Sequence, residues 1–259
     1  MSTVICRPGR RHLPASPIKT SPRASSASYY SSATWSGYIS EGWKQVNDVY
    51  SSWNVPTAGA PAPGPTATTQ STWIGTGGWN GQPGALIQEG TESNTAANGS
   101  THYFPWYEIV PDEAQQIFAN DPINPGDDIN ASLQVTPNDN VVFTKGSFLL
   151  CDEAPGGVCV SLSQDTKAFE TPGTSAEWII ERTIVNNTAP PLTRFGSLAI
   201  SMDGFYADGA SHYEDGAVSI NMNSCDGKTT LASVGALYNT NQFLDTWMNY
   251  GPSDPFPCP

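Results

Sequence analysis

Ser175-Ala176-Glu177-Trp178-Ile179-Ile180-Glu181-Arg182 is the stretch that weighs most on the fold. Read as a β-strand, it puts Glu177, Ile179 and Glu181 on one face and Trp178, Ile180 and Arg182 on the other. Both faces are largely apolar, as in the core strand of a sandwich. A carboxylate among such neighbours is either exposed at an edge or buried with a raised pKa and a chemical task. The pattern alone leaves both readings open.

Two more segments share this character. In Ala85-Leu86-Ile87-Gln88-Glu89-Gly90, Leu86, Gln88 and Gly90 fall on one face and Ala85, Ile87 and Glu89 on the other. Gln88 points inward if Leu86 does. In Tyr103-Phe104-Pro105-Trp106-Tyr107-Glu108, the residues Phe104, Trp106 and Glu108 share a face. Trp73, in Ser71-Thr72-Trp73-Ile74-Gly75, adds another large ring. Any one Trp is explained by core packing. Aromatics, a Gln and carboxylates alternating on neighbouring strands are also what a groove for an extended polymer needs.

From Trp35 to Tyr250 the chain reads as a dozen or so short strands separated by turn signals such as Gly-Gly-Trp-Asn-Gly-Gln-Pro-Gly and Asn-Asp-Pro-Ile-Asn-Pro-Gly-Asp-Asp. One short helical turn is expected at Pro111–Gln116. The chain has 24 Gly and 22 Pro in 259 residues and only 14% charged residues, which argues against helical bundles and doubly wound α/β folds. The expected fold class is all-β, a two-sheet antiparallel β-sandwich spanning residues 35–259 as one domain. No apolar run is long enough for a transmembrane helix.

The net charge is −13, and it is unevenly placed. Residues 1–34 carry Arg7, Arg10, Arg11, Lys19 and Arg23 and no acid. The body is therefore strongly acidic and repels phosphate, so no nucleic-acid partner is expected. With few basic residues, few buried cations depend on an ionised carboxylate, and such a protein loses little in acid. An ordinary acidic secreted protein has the same balance. The leader is rich in Ser, Pro and Arg and is expected to be flexible, as a disordered leader or a propeptide remnant. A basic tail on an acidic body can also dock there electrostatically. It lacks the apolar stretch of a signal peptide.

Cys151 and Cys159 flank a Pro/Gly turn and read as a disulfide-closed hairpin tip. Cys225 and Cys258 form a candidate second bridge that ties the C-terminal tail to the body. Cys6 is left over. The pattern suits an oxidising compartment, hence a secreted protein. The chain has no GxSxG elbow, HExxH, paired Asp-Thr/Ser-Gly or P-loop, and no Cys/His cluster with zinc spacing. Carboxylate and amide chemistry on strands is what remains.

Taken in order, Trp35-Ser36-Gly37-Tyr38, Trp53-Asn54-Val55-Pro56, Ser71-Thr72-Trp73-Ile74-Gly75, Leu86-Ile87-Gln88-Glu89-Gly90, Trp106-Tyr107-Glu108-Ile109-Val110-Pro111, Gly126-Asp127-Asp128-Ile129, Ala176-Glu177-Trp178-Ile179-Ile180-Glu181 and Phe195-Gly196-Ser197 resemble the glutamic peptidases, the eqolisin family. The resemblance implies a lectin-like (concanavalin-like) jelly-roll sandwich and a pepstatin-insensitive acid endopeptidase that needs no metal or cofactor. By motif, the family's catalytic Gln falls on Gln88 and its catalytic Glu on Glu177. Trp73, Trp106 and Glu108 fall on substrate-binding positions. One departure is clear: where fungal members carry Gly-Ile-Asp-Gly, this chain has Gly75-Thr76-Gly77-Gly78. The partners implied are extended polypeptide substrates, with no membrane and a monomeric enzyme. The alternative on the same sandwich is a carbohydrate-binding module or glycosidase. Gln88 speaks against a retaining glycosidase, which needs a second carboxylate there.

Overall fold

Along Leu86–Thr95 the side chains alternate between two apolar surroundings. Ile87 packs in a buried cluster with Trp53, Ile74, Tyr107 and Trp178. Its neighbour Leu86 packs in another with Trp35, Trp73, Trp106 and Ile179. The two-residue period of a strand forces this split, so the sheet containing Leu86–Thr95 is covered on both faces. The computed structural model of the chain describes residues 4–7, 9–14, 18–19, 29–79, 86–118, 121–137, 143–154, 157–165, 173–214 and 216–258. Ala85, the first residue of one expected strand, lies outside the described residues.

The first sheet runs, in spatial order, Gln116–Phe118, Thr101–Val110, Leu86–Thr95, Ser71–Thr76, Ser175–Glu181, Trp35–Glu41 and Val218–Asn223. The second runs Cys159–Asp165, Phe143–Asp152, Asp128–Pro137, Val46–Asn54, Ser197–Ala207, Gln242–Trp247 and Thr230–Val234. All these neighbours are antiparallel. Ile74, Ile87 and Trp178 of the first sheet meet Val49, Leu133, Phe148 and Phe205 of the second in the larger cluster between them. Thr230–Val234 also pairs with Val218–Asn223, so the two sheets join along one side. The chain is an all-β sandwich, and the described residues include no helix.

Residues 111–115 differ from the sequence expectation. They form a turn, closed by the Glu113 N–H donating to the Ile109 carbonyl at 2.7 Å, and no helical turn follows. Gln116–Phe118 instead pairs with Tyr107 and Trp106 and buries Ile117 and Phe118. Pairing at a sheet edge overrides the weak local preference for helix.

The described parts of the leader lie against the body. Val4–Cys6 extends the first sheet beyond Gln116–Phe118. Arg10–Arg11 pairs with Ile184–Val185. Ile18–Lys19 pairs with Tyr29–Ser32, which itself lies parallel to Val218–Asn223. A composition that predicts flexibility is countered here by main-chain hydrogen bonding. Disulfides join Cys151 to Cys159 and Cys225 to Cys258, while Cys6 is free and exposed. Near the second bridge, the buried Arg182 reaches Asp254 at 2.5 Å and the Ala33 carbonyl at 2.7 Å, locking the C-terminal tail behind Glu181.

Candidate active site

Register fixes which side chains meet on the outer face of the first sheet. Gln88 lies opposite Glu108 on one side and Gly75 on the other, and Gly75 lies opposite Glu177. The row therefore reads Glu108, Gln88, Gly75, Glu177. The next row reads Trp106, Gly90, Trp73, Ile179, and the one beyond it Phe104, Glu92, Ser71, Glu181. Opposed residues share a face, so two Trp rings, the Gln and four carboxyls all project from the same side. The two glycines shape this floor. A Cβ on Gly90 would sit 2.6 Å from Cβ of Trp73, and one on Gly75 would sit 2.8 Å from the Trp73 ring. With no side chain at Gly75, Gln88 and Glu177 face each other across a single bare strand, their Cα atoms roughly 10 Å apart at ordinary strand spacing.

The leader crosses this floor as an extended peptide. The His12 N–H donates to Oε2 of Glu108 at 2.8 Å, and Nε2 of Gln88 donates to the His12 carbonyl at 3.0 Å. The His12 ring stacks on Trp106, with centroids 3.8 Å apart and planes 4° apart. Its Nδ1 lies 2.9 Å from Oε2 of Glu181, which also accepts from Nε1 of Trp73 at 2.8 Å. Its Nε2 lies 2.9 Å from Nε2 of Gln115. Arg10 forms an ion pair with Glu92, and Arg7 sits over the Phe104 ring. Upstream of His12 the cleft widens into a cavity of about 630 Å³ lined by Arg7, Arg10, Thr68, Asn94, Tyr103 and Phe104 among others.

Burial dominates the electrostatics. It pushes Glu177 up to about 8, an effect only partly offset by the Ser175 hydroxyl and the Gly77 N–H, which favour the charged form. Neither carboxyl oxygen of Glu177 has a well-formed hydrogen bond. Burial likewise pushes Glu108 to about 8; the His12 N–H and Arg11 pull it back, and Glu92 raises it further. Glu181 is raised well above the usual range by burial, with the charges of Glu108 and Glu92 adding to the shift. His12 is held well below its usual value by burial and then by Arg10. Burial thus favours the neutral forms of Glu177, Glu108, Glu181 and His12.

All five sequence candidates, Gln88, Glu177, Trp73, Trp106 and Glu108, are buried on this one face. Three residues that touch the leader, Glu92, Gln115 and Glu181, were not singled out as catalytic or binding positions, nor was His12 of the leader itself. Glu181 carried a signal, since it shares a strand face with Glu177. Glu92 carried the same signal, since it shares a strand face with Gln88, whereas His12 and Gln115 belong to the site only through contacts between segments distant in sequence.

The profile of the Peptidase A4 family matches residues 33–244. Among solved structures, scytalido-glutamic peptidase with a transition state analog inhibitor is 22% identical, with a TM-score of 0.67 over 83% of this chain and 98% of that one. SCP-B, a member of the eqolisin family in complex with the tripeptide Ala-Ile-His, is 21% identical with a TM-score of 0.62, over 83% of this chain and 98% of that one. Aspergilloglutamic peptidase from Aspergillus niger is 22% identical with a TM-score of 0.57, over 70% and 99% of the two chains. No curated protein matches. The likenesses to solved structures carry the fold, and the profile spanning most of the body carries the kinship: the chain belongs to the Peptidase A4 family and is a peptide hydrolase.

Proposed function

We propose that the chain is an acid endopeptidase of the glutamic type, with Glu177 as general base and acid and Gln88 as oxyanion stabiliser. The observation that carries this reading is the seat of the His12 peptide: a main-chain carbonyl accepts from the Gln88 amide at 3.0 Å, on the row that also holds Glu177. Peptide hydrolysis needs an activated water, a donor for the developing oxyanion and an acid for the leaving amine. In this reading Glu177 takes a proton from water, and the hydroxide adds to the carbonyl carbon. Gln88 Nε2–H holds the oxyanion. The proton on Glu177 then passes to the amine as the C–N bond breaks.

A carboxyl at about 8 keeps its proton in acid, so it cannot act as base while Glu177 stays buried. Vacating the cleft admits water, which removes the main cause of the shift and restores a carboxylate in the acid range. Two relatives, with a bound inhibitor and a bound tripeptide, share the fold and support a peptide-binding cleft here. Insensitivity to pepstatin follows from the absence of a two-Asp centre in this reading.

The test is hydrolysis of an unfolded protein across about pH 2–7 with pepstatin present, comparing wild type with Glu177→Gln. Acid activity that disappears in a folded Glu177→Gln chain is expected. Retained activity in that variant would overturn the assignment of Glu177.

A further inference from the structure

The His12 side chain has its own enclosure, distinct from the groups that hold its main chain. Trp106 supplies a flat wall parallel to the ring. Gln115 Nε2 is an amide nitrogen and can only donate, so His12 Nε2 must accept. Nδ1 then carries the hydrogen and donates to Oε2 of Glu181. This assignment of the tautomer follows from the partners. It gives one donor and one acceptor on opposite edges of a planar five-membered ring, each matched by a buried partner. Glu181 is itself oriented by Trp73, and Gln115 by a second hydrogen bond to Glu92. The ring is fully enclosed.

We propose that this enclosure is a histidine-selective subsite of the peptidase cleft, and that the chain fills it in cis with its own His12. The substrates it selects are polypeptides with histidine on the amino side of the bond presented to Gln88. The inference rests on the reading of Gln88 and Glu177 given above, because that reading fixes which carbonyl is attacked.

Other side chains fit the enclosure worse for stated reasons. Phenylalanine stacks on Trp106 but leaves Gln115 and Glu181 each short of one hydrogen-bond partner in a buried place. Lysine has no acceptor for the Gln115 N–H and no flat face for Trp106. Alanine leaves the space empty. Sites built to pair a buried polar group discriminate strongly against ligands lacking it, because their own groups are then stranded. The main chain of His12 is held at its N–H by Glu108 and at its carbonyl by Gln88, so the residue is seated from both sides as a substrate residue would be.

The experiment uses the full chain and a peptide series, Ac-Ala-Arg-Xaa-Leu-Pro-amide, with Xaa as His, Phe, Lys or Ala. Across about pH 3–6 the kcat/KM for His relative to Phe and Lys is expected to rise as the substrate imidazole loses its proton and its Nε2 becomes an acceptor, reaching at least ~10-fold by about pH 6. Cleavage of all four within about threefold of one another would overturn the subsite and leave the peptidase reading intact. If neither the full chain nor the His12→Ala chain cuts any peptide, the peptidase reading has failed, and binding decides the subsite: the same peptides are titrated into the His12→Ala chain with Trp fluorescence as readout. His should then bind at least ~10-fold tighter than Phe and Lys, and equal affinities would overturn the proposal. Occupancy in cis has its own readout. In wild type the His12 ring protons should be displaced upfield by Trp106 and should not titrate between about pH 5 and 7, unlike an unperturbed histidine. A His12 signal that titrates freely would overturn the docked state.

Discussion

Gly75 acts through what it lacks. Its bare backbone lets Gln88 and Glu177 converge from the strands on either side, and any side chain there meets Trp73 and, at 3.3 Å, Cβ of Gln88. Gly75→Val is therefore expected to lower kcat/KM by ~100-fold or more while the chain still folds. Kinetics beside a circular dichroism spectrum checks this, and near-normal activity would remove Gly75 from the site. In the proposed mechanism Gln88→Ala removes a single oxyanion donor and should cost about 10²–10³ in kcat with little change in KM. A loss confined to KM would mean that Gln88 only binds ground-state substrate. The faces of Gln88, Glu177, Trp73, Trp106 and Glu108 were legible because a strand period of two leaves no choice once one neighbour is placed. His12 and Gln115 were not. They lie 103 residues apart and meet only because the leader crosses the sheet, a path that no local pattern encodes.

At the scale of the element, the strand Ser175–Glu181 and its continuation do two jobs. The strand itself presents Glu177 and Glu181 to the cleft, and the next residue, Arg182, anchors the C-terminal tail through Asp254. Asp254→Ala strands a buried guanidinium that keeps only main-chain carbonyl partners. It is expected to cost about 3–5 kcal/mol, read as a drop in thermal midpoint. A change within error would show the pair to be dispensable. The sequence balance of few cations in an acidic body fits this buried pair. The turn after Val110 was the least legible element, since its short helix-compatible run gains more by joining the sheet edge. Leader docking was legible only as a charge complement. The ion pair of Arg10 with Glu92 realises that complement, but the leader's main-chain pairing had no sequence signal.

For the whole molecule, the sandwich stores protons. Glu89 faces the interior between the sheets, and burial raises it well above the usual range despite its contact with the Leu149 N–H. Burial raises Asp203 to about 8 and Asp245 to about 7. It also raises Glu214, with the neighbouring charge of Asp203 adding to the shift. For an acid whose folded pKa is raised, the folded state binds more protons than the unfolded one between the two pKa values. Stability is then full below about pH 4 and falls as pH rises through about 7–8, by up to ~1.4 kcal/mol per pH unit for each such group. The thermal midpoint should accordingly be highest in acid and decline steadily toward pH 8. Glu89→Gln should make that decline shallower, and an unchanged slope would mean that Glu89 does not contribute to it. Only the coarse half of this was legible: acid tolerance follows from charge counting, whereas lability toward neutral pH depends on which carboxyls the fold encloses.

The outermost strand of the first sheet borrows its partner. Gln116–Phe118 has the leader's Val4–Cys6 on its outer side. In a chain stripped of the leader, a row of main-chain donors and acceptors beside Ile117 and Phe118 is left without that mate, and bare rims of this kind recruit strands from neighbouring chains. Removing the leader therefore carries a colloidal consequence. A chain without it should self-associate as its concentration rises, whereas the full chain should stay dispersed, a contrast that light scattering would reveal.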